Sequence, residues 1–138
     1  MNQTHILLVE DNPAEVALVE MALRTVAPHL QLIHCADGDS FLHHLQEERL
    51  DELACVLLDL NMPGLSGQQV LGQLRHNLHW RQLPVVVFTT STHQRDVSMC
   101  YELGANAYVE KPLTLEAYET TLRRITEFWT GVNVRGNW

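Results

Sequence analysis

No stretch of this 138-residue chain approaches the ~20 consecutive apolar residues that a membrane-spanning helix requires. Its start, Met1-Asn2-Gln3-Thr4-His5, lacks the basic residues of a signal peptide, so a cytoplasmic protein with no membrane partner is expected. Basic charge is scarce: nine Lys and Arg stand against 17 Asp and Glu, a formal net charge of -8. Binding of nucleic acid needs clustered phosphate-neutralising cations, and these are scattered, so no nucleic-acid partner is expected. Cysteine is limited to Cys35, Cys55 and Cys100, an odd number in apolar settings, which excludes a disulfide frame and reads as small core residues. Repeats and low-complexity tracts are absent. The remainder, 46% hydrophobic and 19% charged, suits one ordinary globular domain and is too short for two.

Apolar runs alternate with helical periodicity along the chain. His5-Ile6-Leu7-Leu8-Val9-Glu10 reads as a strand, followed by a helix start in which Asn12 is the N-cap, Pro13 the first helical residue and Glu15 the return partner of a capping box. Val16, Val19, Leu23 and Val26 keep helical spacing until Pro28. Gln31–Ala36 reads as a second strand, and Asp37-Gly38-Asp39 turns into a helix that carries Phe41, Leu42, Leu45 and Leu50 inward. The run Ala54-Cys55-Val56-Leu57-Leu58 has no polar face, so it predicts a strand buried on both sides, and it delivers Asp59 into the turn Asn61-Met62-Pro63-Gly64. Ser66 with Gln69 is a second capping box, opening a helix with Val70, Leu71 and Leu74 inward. Val85–Thr89 is a fourth strand. A helix capped by Thr92 and closed by Gly104 follows, then a short strand Ala107–Glu110 and a last helix from Leu115 to about Trp129. On that helix Leu115, Tyr118, Leu122, Ile125 and Phe128 or Trp129 share one side.

Five strands alternating with five helices predict an α/β fold, a doubly wound parallel sheet with helices on both faces. Ligands of such sheets bind at the carboxyl ends of the strands. Those ends carry Glu10 and Asp11, Asp59, Thr89, and Lys111, which therefore converge. Clustered carboxylates repel, and a small hard cation with oxygen ligands relieves the repulsion; Mg²⁺ suits one or two carboxylates plus waters and phosphate oxygens. Lys111 and Thr89 can hold the oxygens of a phosphoryl group on Asp59, so the site reads as phosphoryl transfer to a carboxylate.

The stretches Leu8-Val9-Glu10-Asp11-Asn12, Leu58-Asp59-Leu60-Asn61-Met62-Pro63-Gly64, Pro84–Thr89 and Gly104–Pro112 resemble the receiver domain of two-component response regulators. That resemblance implies a CheY-like, flavodoxin-like five-stranded sheet of order 2-1-3-4-5, with a receiver domain over 1–130 and a tail over 131–138. It implies Asp59 as phosphoacceptor, Glu10, Asp11, Asp59 and the Asn61 backbone carbonyl as holders of Mg²⁺, and Thr89 and Lys111 as contacts of the phosphoryl group. It also implies Tyr108 as the switch aromatic working with Thr89, and a cis Lys111–Pro112 bond. Thr90 stands where most members carry Ala or Gly, and we expect its bulk to slow formation or loss of the phosphorylated state.

The chain is similar in particular to single-domain regulators served by phytochrome-type histidine kinases, with a non-phytochrome sensor kinase as the alternative. Output would then pass to a separate downstream protein, through a face made by Met99, Tyr101, Glu102, Leu113, Tyr118 and Trp129. Val132, Val134 and Trp138 in the tail suit either a homodimer contact or a frayed terminus.

Rival readings fit less well. A flavodoxin-like cofactor carrier needs a Gly/Ser/Thr-rich phosphate cradle after the first strand, where Glu10-Asp11 would repel phosphate. By family resemblance, an aspartyl phosphatase carries a second Asp where this chain has Asn61, so a turnover enzyme is not expected. The eight histidines, including His43-His44 and His76 with His79, form no zinc-like ligand set and read as surface residues.

Overall fold

The computed structural model describes residues 3–47 and 49–136. Strands β1 (His5–Val9), β2 (Gln31–Cys35), β3 (Leu53–Leu58), β4 (Val85–Thr89) and β5 (Ala107–Glu110) alternate with helices α1 (Pro13–Val26), α2 (Gly38–Leu45), α3 (Gly67–His76), α4 (Gln94–Glu102) and α5 (Leu115–Glu127). All strands pair in parallel, in the order β2-β1-β3-β4-β5. A 3₁₀ turn at Leu50–Glu52 leads into β3, and a π-type turn at Phe128–Val132 ends the helical part of the chain. Leu50 thus lies in that turn, half-buried against the core, rather than on α2.

The alternation of side chains along each strand divides the core in two. Leu7, Val9, Val56, Leu58, Val85 and Val87 pack on one face with Phe41 of α2, Leu71 and Leu74 of α3 and Cys100 of α4. Ile6, Leu8, Cys55, Leu57, Val86 and Phe88 pack on the other with Val19 and Leu23 of α1 and Tyr118 and Leu122 of α5. Every residue of β3 is buried, as its unbroken apolar run requires. The three cysteines are buried and form no disulfide; burial pushes the Cys55 thiol up to about 12 and the Cys100 thiol, with Asp96 adding to the effect, to about 11.

Helix ends follow the sequence in two places, add a cap at Asp37 where a turn was expected, and depart from it in two. Asn12 caps α1 by accepting from Ala14 N at 2.9 Å, Asp37 caps α2, and Ser66 with Gln69 closes a reciprocal capping box on α3. Glu15, however, is drawn away from the α1 cap by Lys111 and Tyr118. The residue before α4 is His93 rather than Thr92, and its side chain makes no capping bond.

Buried Tyr118 and half-buried Trp129 pack into the α1/α5 half of the core and are not part of an exposed output face. The apolar stripe of α5, continued by the turn at Phe128–Val132, covers the sheet. Met99, Tyr101 and Leu113 do remain exposed. No helix among the described residues is long and apolar enough to cross a membrane.

Candidate functional site

The carboxyl ends of β1, β3, β4 and β5 deliver the acidic, hydroxyl and basic side chains to one crevice, lined by Glu10, Asp11, Asn12, Glu15, Asp59, Asn61, Thr90 and Lys111. Glu10, Asp59, Thr89 and Lys111 are each less than a tenth exposed, while Asp11 and Asn61 open to solvent. The Asp59 backbone continues the sheet by donating to Val9 O at 3.1 Å, and its Oδ1 accepts from Leu60 N at 2.9 Å. Behind it, Gly67 lets α3 approach closely: a Cβ there would stand 2.5 Å from Asp59 O and 2.8 Å from Leu60 Cα.

Oxygens of Glu10, Asp11 and Asp59 all lie within 4.8 Å of one another. Lys111 answers part of that charge. Its backbone N–H is tied to Thr89 O at 2.8 Å, and its Nζ donates to Glu10 Oε1 at 2.5 Å, with Asp59 Oδ1 at 3.6 Å and Glu15 Oε2 at 3.8 Å. Burial lowers the ammonium's proton affinity, but the Glu10 bond and the three carboxylate charges outweigh it and leave Lys111 above its ordinary range. Burial, reinforced by Asp59 and opposed by Lys111, raises the Glu10 carboxyl above the usual carboxylate range.

An all-oxygen set with one solvent-open carboxylate matches a hard divalent cation that retains waters, and a buried thiol or imidazole, which would favour a softer metal, does not line the crevice. Asn61 reaches the same crevice from the turn after β3.

The residues expected at a switch are also adjacent. Thr89 is fully buried, and its Oγ1 accepts from Ser91 N at 3.5 Å. Tyr108 is half-buried, and its hydroxyl donates to Ser91 O at 2.8 Å, so the tyrosine and the threonine hold the same loop. Every described peptide bond is trans, Lys111–Pro112 included. The expected cis bond is therefore incorrect: trans is the lower-energy X–Pro form by about 0.5–1 kcal/mol, and Lys111 reaches the crevice with it.

Two groups near the site, Glu15 and His34, were not singled out for it from the sequence. Glu15 lines the crevice and accepts a hydrogen bond from the Tyr118 hydroxyl. His34 Nε2 contacts Glu10 O at 2.7 Å, so one of the surface histidines touches the backbone of the acid pair. The only sequence signal for Glu15 is its place on the first turn of the helix that leaves Asp11.

A parallel 2-1-3-4-5 sheet with this acid pocket at its carboxyl edge defines the receiver class of flavodoxin-like domains. The response regulator receiver domain family matches residues 6–123, and the chain belongs to that family. Receiver domains are phosphoacceptors in two-component signalling, served by histidine kinases.

Among relatives, the chain is 37% identical over 134 residues to "Probable methanogenesis regulatory protein FilR2" of Methanothrix harundinacea, covering 93% of this chain and 84% of that one. It is 37% identical over 128 residues to response regulator Rcp1 of Synechocystis sp., covering 90% and 87%. The structure of Rcp1 in its Mn²⁺-bound form superposes with a TM-score of 0.82 at 33% identity, over 97% of this chain and 99% of that one. The phosphorylated cyanobacterial phytochrome response regulator RcpA superposes with a TM-score of 0.87 at 28% identity, over 98% and 99%.

Proposed function

We propose that this protein is a cytoplasmic single-domain response regulator, with 1–130 as receiver and 131–138 as a dimerisation arm, that accepts a phosphoryl group on Asp59 from a histidine kinase. The observation that carries the reading is the cluster of Glu10, Asp11 and Asp59 oxygens within 4.8 Å, with the Lys111 ammonium against Glu10 and Asp59. Glu10, Asp11, Asp59 and the Asn61 carbonyl would hold Mg²⁺, which would supply positive charge against the carboxylates and the phosphoryl oxygens.

Asp59 Oδ1 is engaged by Leu60 N–H and faces Lys111, so Oδ2 is the attacking oxygen. It forms a bond to phosphorus as the phosphohistidine N–P bond breaks, and the electron pair leaves with the imidazole nitrogen, which takes up a solvent proton. Lys111 Nζ turns from Glu10 toward the new phosphoryl oxygens, and Thr89 Oγ1 donates to another. On loss of the group, water attacks phosphorus, the O–P bond breaks, and inorganic phosphate departs from a restored carboxylate. Asn61 is no carboxylic acid and cannot serve as general base for that water, which favours a retained signal over rapid turnover. The protein assists its own phosphorylation and dephosphorylation and is not a turnover enzyme.

Movement of Thr89 toward the phosphoryl group pulls on the Ser91 loop and releases Tyr108, which biases the surface around α4 and β5 between two arrangements. Met99, Tyr101 and Leu113 make that surface apolar enough to bind a downstream protein. Homodimerisation is supported by Phe128, Val132 and Val134, exposed in the terminal segment, while Arg135 pins that segment to Leu53 O and, at 3.0 Å, to Leu50 O. Trp138, the expected aromatic anchor, lies outside the described residues.

RcpA supports a phytochrome-type kinase as partner, and a non-phytochrome sensor kinase is the alternative, since the chain is as similar to FilR2 as to Rcp1. Phosphotransfer profiling against the host's phosphorylated histidine kinases tests the choice. Fast transfer from a phytochrome-type kinase alone is the expected result, and fast transfer only from other sensor kinases replaces it with the alternative.

A further inference from the structure

Glu15 has no part in the phosphoryl chemistry above, yet it lines the crevice, and its side chain is only 24% exposed. The Lys111 ammonium stands almost equally far from Asp59 Oδ1, at 3.6 Å, and from Glu15 Oε2, at 3.8 Å. Glu15 thus competes with the acceptor carboxylate for one cation. The same Oε2 atom accepts the hydrogen bond from the Tyr118 hydroxyl. Tyr118 is fixed: 1% exposed on α5, with its ring edge-on to Phe88 at 5.8 Å, next in sequence to Thr89. A hydroxyl that donates to a carboxylate oxygen withdraws charge from it and holds its direction.

We propose that Glu15 is a positioning residue that holds Lys111 back from the phosphoryl group, and that Tyr118 sets the strength of that hold from α5. The proposal rests on Asp59 as phosphoacceptor. In the resting state Glu15 draws the ammonium toward α1 and adds negative charge beside the path of an incoming phosphoryl dianion. Both effects slow phosphorylation. The Tyr118 hydroxyl weakens both, because it neutralises part of the oxygen that faces Lys111. The raised pKa of Tyr118, caused by burial and then by Glu15, keeps that proton on the tyrosine and available as a donor.

The experiment follows phosphorylation of the full chain by acetyl phosphate with Mg²⁺, together with thermal melts, for wild type, Glu15→Gln, Tyr118→Phe and the double variant. Glu15→Gln keeps an acceptor for Tyr118 and loses the charge, so it is expected to be phosphorylated roughly threefold to tenfold faster. Tyr118→Phe leaves Glu15 fully charged against Lys111 and is expected to be slower. In the double variant the Tyr118 effect disappears, because it acts through Glu15. A general loss of packing would instead slow both single variants and add in the double. Unchanged rates, a slower Glu15→Gln, or a Tyr118 effect that persists without the Glu15 charge overturns the proposal while leaving Asp59 in place. A wild-type chain that takes no phosphoryl group on Asp59 overturns both.

Discussion

Lys111 Nζ lies 2.5 Å from Glu10 Oε1 and 3.6 Å from Asp59 Oδ1, so a single ammonium from the end of β5 serves buried carboxylates at the ends of β1 and β3. That arrangement ties charge balance in the crevice to the integrity of the sheet. Lys111→Met leaves Glu10 and Asp59 without their cation, and breaking a buried pair in this way costs about 3–5 kcal/mol. The variant is expected to melt well below wild type in the presence of a chelator, and Mg²⁺ should raise its melting temperature by more than it raises that of wild type. Equal Mg²⁺ responses would show that the ion does not answer the same charges as Lys111.

Thr90 lines the crevice from the loop after β4 and is exposed at its mouth. Thr90→Ala removes bulk there and is expected to speed both formation and loss of the phosphorylated state by about threefold to tenfold, corresponding to roughly 1 kcal/mol in each barrier. Rates measured with acetyl phosphate and during subsequent decay check this. If both stay unchanged, Thr90 does not restrict access.

The terminal segment joins a fixed point to an apolar stripe. Arg135 bonds to Leu50 and Leu53 carbonyls, while Val132 and Val134 stay exposed. A chain truncated after Thr130 is expected to elute as a monomer where the full chain elutes as a dimer. An unchanged elution mass would remove the tail from the dimer contact.

Stability should carry the signature of the buried thiols. The Cys55 thiol ordinarily ionises near 9.0, and in the fold it is held to about 12. The unfolded chain therefore binds fewer protons in that interval, and stability must fall as pH rises through it, by at most ~1.4 kcal/mol per pH unit from this group. Below that interval the contribution is constant. Urea denaturation across it should show a shallower decline for Cys55→Ala than for wild type; identical slopes would mean that the thiol does not titrate differently in the fold.

Most of the fold was legible because the signals were local. The all-apolar run into Asp59 required a doubly covered strand, and the caps at Asn12 and Ser66 needed only neighbouring residues. The strand-end rule then brought Glu10, Asp11, Asp59 and Lys111 together, because sheet topology alone places them.

What escaped depends on long-range geometry. Glu15 looked like a capping-box residue, and only Tyr118, 103 positions away, reveals its other use. Arg75 is a similar case: its guanidinium binds Gly104 O, Arg81 O, Leu83 O and Asn106 Oδ1, joining α3 to the loop before β5, and no pattern in the sequence marks those acceptors. Gly104, with φ +102, permits that approach, since a Cβ would stand 2.8 Å from Arg75 Cγ. For Tyr118 and Trp129 the helical spacing, which sets Tyr118 on one side with Leu115, Leu122 and Ile125, conflicted with their assignment to the output face; packing against α1 and the sheet decides for the spacing.

The measurement closest to the central claim is peptide mapping by mass spectrometry after incubation with Mg²⁺ and acetyl phosphate. One phosphoryl group on the peptide that contains Asp59, absent from Asp59→Asn and from samples with the metal chelated, is the expected result. A phosphoryl group elsewhere, or none on folded wild-type protein, would contradict Asp59 as the acceptor of a metal-assisted phosphoryl switch.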